Sequence, residues 1–372
     1  MHIAFLTDVA LPYVSGVTVA VKRQRDALRA DGHTVTVVGP HGDVDIAEPD
    51  VQVPGAPSGY RVALFGPRLG ARLRDRGVDV VHAHSVFGAS GAALSIARGR
   101  HLPFVVTVHT RFDEYVHYAK VAAPLAKVLL DPYVAAVLAV ADGVIAPCAE
   151  LAEELRGRAR SLSVVGAPTD AALAAGDRSR GRARTGVADA APLLLSISRL
   201  AHEKRVFDLV DALGALDRTD VVLAFAGAGP LQRDLRERAA AHGLGDRVRL
   251  LGQLDTAALA DAIAAADVVV SASRSETQGL ALCEAAAAGK AIVAPRRGGY
   301  AEVLGDGVGG LFPATEPTVA DLAAAVARVL DDASLRAALG REAHRRAVRA
   351  WSPAVVAEAL RRAYEDARRM RE

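Results

Sequence analysis

Short apolar runs rich in Val, Ile and Leu alternate with Ala- and Leu-rich amphipathic stretches along nearly the whole chain, an order that few architectures satisfy. Strands are expected at His2–Leu6, Thr34–Val38, Val78–His82, Phe104–Val108, Gly143–Ala146 and Ser161–Val165. Helices are expected between them, over Val17–Asp31, Phe65–Arg76, Gly88–Arg98, Pro124–Ala141 and Ala149–Ala159. Such alternation implies βαβ units and a parallel sheet covered on both faces. The polar stretch Gly176–Ala191 has no apolar period and reads as a short helix plus a linker. The alternation then restarts, with strands at Leu193–Ile197, Val221–Ala226, Val248–Leu251, Val268–Ser271, Ala291–Ala294 and Gly309–Phe312. The expected fold is therefore α/β, with Rossmann-like doubly wound domains over 1–180 and 190–350; at 372 residues the chain is too long for one compact core. The helical tail breaks near Pro353, and its last part, 354–372, is expected to pack back on the first domain. Ligands of such sheets sit beyond the carboxyl ends of the strands, and two facing domains would place one ligand between them.

Composition narrows the partners. Lys plus Arg (45) nearly balances Asp plus Glu (43), and a net charge of +2 gives no reason to expect nucleic acid. The two cysteines, Cys148 and Cys283, have no metal-knuckle spacing and are weak evidence for an oxidising compartment. The chain opens on a strand-like run with no basic region or long apolar stretch, which argues against a secretory signal. The most apolar later segment, Val121–Ala146, is interrupted by Lys127, Asp131, Pro132 and Asp142 and reads as buried helix rather than a membrane span. Between Arg61 and Arg76 five arginines (Arg61, Arg68, Arg72, Arg74, Arg76) face one acid, Asp75, among apolar residues. That stretch, 60–76, suits a solvated helix face first and an anionic bilayer surface second.

Four segments carry chemistry. After strand Val268–Ser271, Ser275 reads as the N-cap of a helix starting near Glu276 or Thr277. The amides of Gln278, Gly279 and Leu280 would then face a diphosphate, with Gly279 allowing close approach. Glu284, one to two turns in, would accept hydrogen bonds from a ribose, and Glu276 from sugar hydroxyls. After strand Leu193–Ile197, Arg199 and Lys204 place two cations at a carboxyl edge, where a departing diphosphate gains charge. A solvated basic turn would look the same. Gly16, opening a helix after the first strand, can bring an N–H onto a phosphate. In the fourth segment, Val105–Tyr118, His109 ends a buried strand, as His82 and His84 end its neighbour; a lone histidine is more often structural. Gly227-Ala-Gly229-Pro230 fails the dinucleotide fingerprint, because Gln232 holds the third glycine position, and reads as a tight turn beside the donor. Asp43-Val-Asp45 matches the metal-binding aspartate pair of some glycosyltransferases, and reads as chance in a polar loop.

Together these segments resemble glycosyltransferase family 4, whose members have the GT-B architecture of two facing Rossmann-like domains. The resemblance runs from residue 3 to about 360. Ser15-Gly16-Val17, His109–Tyr115 and Glu276-Thr-Gln-Gly279 look most like a branch that transfers mannose or glucose onto phosphatidylinositol mannosides, diacylglycerol and sulfolipids. The first loop has Ser15-Gly16 where many relatives have two glycines, and Ala286–Ala288 is smaller than the usual methionine-containing run. The resemblance implies that Arg199 and Lys204 bind the donor diphosphate, Gly16 its distal phosphate and Glu284 the ribose. It gives Glu276 the transferred hexose, His109 a hexose hydroxyl and Gln253 the base. The implied enzyme is a retaining hexosyltransferase needing no metal or other cofactor. Its donor is a nucleotide sugar such as GDP-mannose or UDP-glucose, and its acceptor a membrane lipid or a soluble small molecule. The implied location is cytoplasmic, at the inner face of the cell membrane for a lipid acceptor. Rival readings are a nucleotide-sugar epimerase, a phosphorylase, which would need a pyridoxal-binding residue among only five lysines, and a non-catalytic nucleotide-sugar binder.

Overall fold

The computed structural model describes residues 1–53, 59–110, 123–305, 307, 309–311 and 314–372, with only the helical backbone for 123–130. It divides into two compact units, Met1–Pro168 with Trp351–Glu372, and Thr169–Ala350. The expected segment Arg111–Tyr118 and the end of the expected strand at Phe312 lie outside the described residues.

The first unit runs β1 (His2–Leu6), α1 (Gly16–Ala30), β2 (Thr34–Gly39), β3 (Ile46–Ala47), β4 (Asp50–Gln52) and β5 (Arg61–Ala63). It continues with α2 (Leu69–Arg74), β6 (Val80–Ala83), α3 (Gly88–Arg100), β7 (Phe104–Thr107) and α4 (Ala123–Val140). β8 (Gly143–Ala146), α5 (Ala149–Leu155) and β9 (Leu162–Val164) complete its first pass. Seven strands form one parallel sheet in the order β3-β2-β1-β6-β7-β8-β9. Alternate residues of β1 serve opposite faces, as the pleat demands. Ala4 and Leu6 pack with residues of α2, α3 and α5, while Ile3 and Phe5 join Val21 and Leu28 of α1 and the end of the chain. The expected helix Phe65–Arg76 is shorter at both ends, because Pro67 disfavours helix before it and Gly77 adopts φ 63°.

The second unit contains α6 (Ala171–Ala174), α7 (Arg178–Thr185), β10 (Leu193–Ile197), α8 (Val206–Ala215), β11 (Val222–Ala226), α9 (Gln232–Ala241) and β12 (Val248–Gly252). After these come α10 (Thr256–Ala265), β13 (Val268–Val270), α11 (Leu280–Ala287), β14 (Ala291–Val293), α12 (Gly299–Leu304), α13 (Val319–Asp331) and α14 (Ala333–Trp351). Five parallel strands lie in the order β12-β11-β10-β13-β14. The stretch Gly176–Ala191 differs from its reading as a short helix plus linker. α7 is packed into this unit, with an alanine-sized atom at Gly181 falling 2.0 Å from the Asp261 carbonyl oxygen. Arg182, 3% exposed, is held there by Asp267 at 2.7 Å. A helix buried through paired charge shows no apolar period. Among the described residues, the expected strand Gly309–Phe312 is represented by a single parallel bridge between Val293 and Leu311.

The last helix, α15 (Pro353–Arg369), belongs to the first unit. Pro353 opens it with a preset φ, and Val356, Leu360 and Tyr364 recur at helical spacing on the face it buries. No described helix is long and apolar enough to cross a membrane. Leu360 is fully buried. Leu360→Ala is expected to destabilise the first unit by about 2–5 kcal/mol. The check is a denaturant melt that resolves the two units, and an unchanged first-unit transition would refute the packing role of this helix.

Candidate active site

The order of the second sheet turns back at β10, which pairs with β11 on one side and β13 on the other. Connections leave these strands in opposite directions, so a crevice opens at their carboxyl ends. Two loops meet there. One follows β10, through Arg199 and a short 3-10 turn over His202–Lys204; the other follows β13, from Ser271 to Gly279. Lys204 Nζ lies 2.6 Å from Glu276 Oε1 and 3.4 Å from the Ser275 carbonyl oxygen. The Arg274 amide donates to the Glu203 carbonyl oxygen at 3.3 Å. Arg199 Nη2 donates to Glu203 Oε1 at 2.5 Å; the Glu203 carboxylate is buried while the Arg199 side chain is 44% exposed. A buried carboxylate thus orients an accessible guanidinium at the carboxyl edge of the sheet. Arg205, directly after Lys204, holds a left-handed φ of 47°, a conformation uncommon outside glycine.

One expectation about this loop needs correction. α11 starts at Leu280, not near Glu276, and its N-cap is Gly279 at φ 77°, ψ 57° with no side-chain cap bond. Ser275 does not cap it; the Ser275 hydroxyl is buried without a partner among the described residues. The reason is tertiary. Gly299 donates its amide to the Thr277 carbonyl oxygen at 2.7 Å, and a Cβ on Gly298 would fall 2.1 Å from the Glu276 carbonyl oxygen. This backbone contact holds Glu276–Gln278 out of helix. A Cβ on Gly279 would fall 2.1 Å from the ring of Tyr300, so only glycine fits there. The amides of Gly279 and Leu280 still stand at a helix start, ahead of the first intrahelical bonds. Gln278 turns its side-chain amide toward Cys283 Sγ at 3.7 Å, and Glu284, 6% exposed, sits in the second turn.

The glycine turn after β11 fits tightly against the β10 loop. A Cβ on Gly227 would meet the Ser198 carbonyl oxygen at 2.0 Å, and one on Gly229 the Leu200 carbonyl oxygen at 2.3 Å. Gly227 also donates its amide to the Gly252 carbonyl oxygen at 2.8 Å, which brings exposed Gln253 to the same edge of the sheet. Sequence reading did not single out Glu203 or Tyr300. Glu203 lay inside the Arg199–Lys204 motif, and the Gly298-Gly299 pair before Tyr300 was the available signal of close backbone approach.

In the first unit, Gly16 opens α1 behind a capping box of Ser15 and Thr18. A Cβ at Gly16 would meet nothing within 4 Å, so the unit's own packing does not require glycine there. Asp8, after β1, accepts from the Ala89 amide at 2.8 Å and caps α3; burial raises its pKa. His109 Nε2 lies 3.1 Å from His84 Nδ1 with the rings stacked. His82 bridges Tyr364 Oη (2.9 Å) and Thr107 Oγ1 (2.7 Å). Burial pushes His82 down to about 3 and His109 to about 4, and, with both neighbours, His84 well below the ordinary range. All three are neutral at pH 7, so each ring has one donor and one acceptor nitrogen. Asp43 pairs with Arg25 at 2.9 Å and Asp45 with Arg29 at 2.8 Å, which ties both aspartates to α1. In the basic stretch, Arg61 pairs with Asp50 and Arg72 with Glu48, while Leu69 and Leu73 of α2 are buried. Both cysteines are buried, and they are not joined in a disulfide.

The chain matches the family model described as Glycosyltransferase Family 4 over residues 14–170 and that described as Glycosyl transferases group 1 over 177–346. It is 29% identical to the alpha-monoglucosyldiacylglycerol synthase of Streptococcus pneumoniae, over 79% of this chain and 71% of that protein. It is 33% identical to D-inositol 3-phosphate glycosyltransferase 1 of Catenulispora acidiphila, over 78% of this chain and 74% of the other. Among solved structures, HepE of Anabaena in complex with UDP superposes with a TM-score of 0.75 at 20% identity, covering 97% of this chain and 99% of that one. This likeness is one of fold: two-domain, GT-B type, built on parallel sheets.

Gly279 and Gly243 separate backbone strain from steric fit. Both adopt left-handed φ, 77° and 67°, but a Cβ at Gly243 would meet nothing within 4 Å. Gly243→Ala is expected to lose about 1–2 kcal/mol from the left-handed backbone alone. Gly279→Ala adds displacement of the Tyr300 ring and should lower the second unit's melting point clearly further. Equal losses in a thermal melt would contradict the tight seat.

Proposed function

Since this chain belongs to glycosyltransferase family 4, and is a transferase that uses a nucleotide sugar, we propose that it moves a hexose of the mannose or glucose type to a membrane lipid, with retention and without a metal. The observation that carries this reading is the 2.6 Å contact between Lys204 and Glu276 beside the start of α11. A nucleotide sugar has its distal phosphate one bond from the anomeric carbon. An ammonium for the phosphate and a carboxylate for the hexose hydroxyls must therefore be neighbours, as these are. Arg199, oriented by Glu203, supplies a second cation, and the Gly279 and Leu280 amides supply helix-start donors for the same diphosphate. Glu284, buried in the second turn of α11, takes the ribose, and exposed Gln253 the base. For the first unit the reading assigns Gly16, where open space leaves room for a phosphate, and His109, a neutral imidazole able to hydrogen-bond a hexose hydroxyl.

Charge on the leaving diphosphate is stabilised by Arg199 and Lys204, the task a divalent ion performs in metal-dependent glycosyltransferases. In the proposed step the acceptor oxygen bonds to the anomeric carbon on the face from which the diphosphate departs. The carbon–oxygen bond to phosphate breaks, and the departing phosphate oxygen takes the acceptor's proton. Support for a lipid acceptor comes from the likeness to a diacylglycerol-glycosylating enzyme and from exposed Leu64, Phe87 and Tyr133 in the first unit. A soluble acceptor is the second reading, favoured by the 33% identity to an inositol phosphate glycosyltransferase.

The test is a thermal-shift titration with UDP, GDP, UDP-glucose and GDP-mannose, followed by transfer assays with diacylglycerol and with soluble acceptors. A ligand at a hundred times its Kd stabilises the native state by about 2.7 kcal/mol. Glu284→Gln, which keeps the side chain's shape, is expected to weaken nucleotide binding about 10- to 100-fold, the worth of hydrogen bonds to a charged group. Normal binding by that variant would refute the site. Transfer in excess EDTA, and an α-linked product from an α-linked donor, are expected; a β-linked product would refute retention.

A further inference from the structure

Tyr300, the second residue of α12, is 3% exposed and has no part in the roles assigned so far. It closes a run of contacts between two segments far apart in the chain. Gly298 lies against the Glu276 carbonyl oxygen, Gly299 against the backbone of Gln278, and the Tyr300 ring against Gly279. Three successive residues are thereby seated on the loop that presents Glu276. The ring's far end carries a hydroxyl 3.2 Å from Ser271 Oγ, at the start of that same loop. Ser271 Oγ in turn accepts from the Ser273 amide at 3.2 Å. These contacts admit an assignment of protons that runs in one direction. The Ser273 amide donates to Ser271, whose hydroxyl hydrogen then serves the Tyr300 oxygen, and the phenolic hydrogen is left for the Glu276 carboxylate beside it. Burial, then the charge of Glu276, raises the Tyr300 pKa well above the ordinary value, so the phenol stays protonated and able to donate. A chain of hydrogen bonds polarised one way strengthens each member.

Resting on the transferase reading above, we propose that Tyr300 is a positioning residue for Glu276: seated on Gly279 and polarised by Ser271, its hydroxyl holds the carboxylate toward the donor hexose while Lys204 serves the diphosphate. The two partners of Glu276 differ in kind. Lys204 is a cation that a diphosphate attracts, and its three N–H donors are then shared. The phenol is neutral and buried, so phosphate does not compete for it. A carboxylate held by the phenol keeps its remaining lone pairs for sugar hydroxyls.

Tyr300→Phe keeps the ring in its seat and removes the oxygen. Affinities of this variant are measured by calorimetry for UDP and GDP, and for UDP-glucose and GDP-mannose, with KM and kcat for transfer and the melting point alongside. The expected result is nucleoside diphosphate binding within twofold of wild type, nucleotide-sugar affinity and kcat/KM about tenfold lower, and an unchanged melting point. In a double-mutant cycle with Glu276→Gln, the Tyr300→Phe effect is expected to vanish, because the group it positions is already altered. Ser271→Ala, which leaves ring and hydroxyl in place, should give a smaller loss confined to the sugar-bearing ligands, and it serves if Tyr300→Phe does not fold. Wild-type behaviour of both variants, equal weakening toward UDP and UDP-glucose, or full additivity with Glu276→Gln would each overturn the inference and leave the transferase reading intact. A wild-type chain that neither binds nor turns over either nucleotide sugar would overturn both.

Discussion

The second unit is organised by one feature of its sheet: β10 and β13 are parallel neighbours whose following loops emerge at the same edge and converge. Lys204 and Glu276 are 72 positions apart in the chain, yet their charged atoms are 2.6 Å apart. No local preference joins them. The pairing of two buried strands fixes their ends, and the ends fix the loops. Mutual attraction of an ammonium and a carboxylate in a half-buried setting then sets the final geometry.

Backbone proximity without side chains makes those loops precise. Gly227 and Gly229 bring the turn after β11 onto the β10 loop, and Gly298 and Gly299 bring the start of α12 onto Glu276 and Gln278. At each of these positions a Cβ would fall about 2 Å from a carbonyl oxygen or its carbon, well inside any tolerable contact. Close-fitting loops place Arg199, Lys204 and Glu276 with little freedom, as the proposed stabilisation of charge on a departing diphosphate requires. The first unit achieves order differently, through burial. His82, His84 and His109 are packed on Phe5 and Tyr364 and on one another. Desolvation keeps them neutral, so they bond as directional donors and acceptors rather than as charges.

Much of this architecture is legible in the residues because buried parallel strands leave an unmistakable trace. Runs such as His2–Leu6 and Leu193–Ile197 coincide with strands, since a strand covered on both faces must be apolar throughout. Reading fails where stability comes from pairing rather than apolar period. α7 has an arginine-rich sequence, and only the distant carboxylates of Asp261 and Asp267 show why it is helical and packed. The start of α11 fails for a related reason: Ser275 has the chemistry of an N-cap, but contact with Gly298 and Gly299 overrides it.

Residue types and spacing alone determined the fold class, the order of the main strands and helices, though not the short β3, β4 and β5, and the kinds of groups offered at the carboxyl edges: two cations, two carboxylates, a glycine at a helix start. Local chemistry suffices for that, because burial pattern and residue type are written position by position. Tertiary structure decided which of those groups meet. It joined Lys204 to Glu276, anchored Arg199 on Glu203, moved the start of α11 to Leu280 and set Tyr300 between Ser271 and the loop of Glu276. Apart from the Arg199–Glu203 pair, four residues apart, these are contacts between segments distant in the chain, created by strand order and close backbone approach, and no single window of residues encodes them.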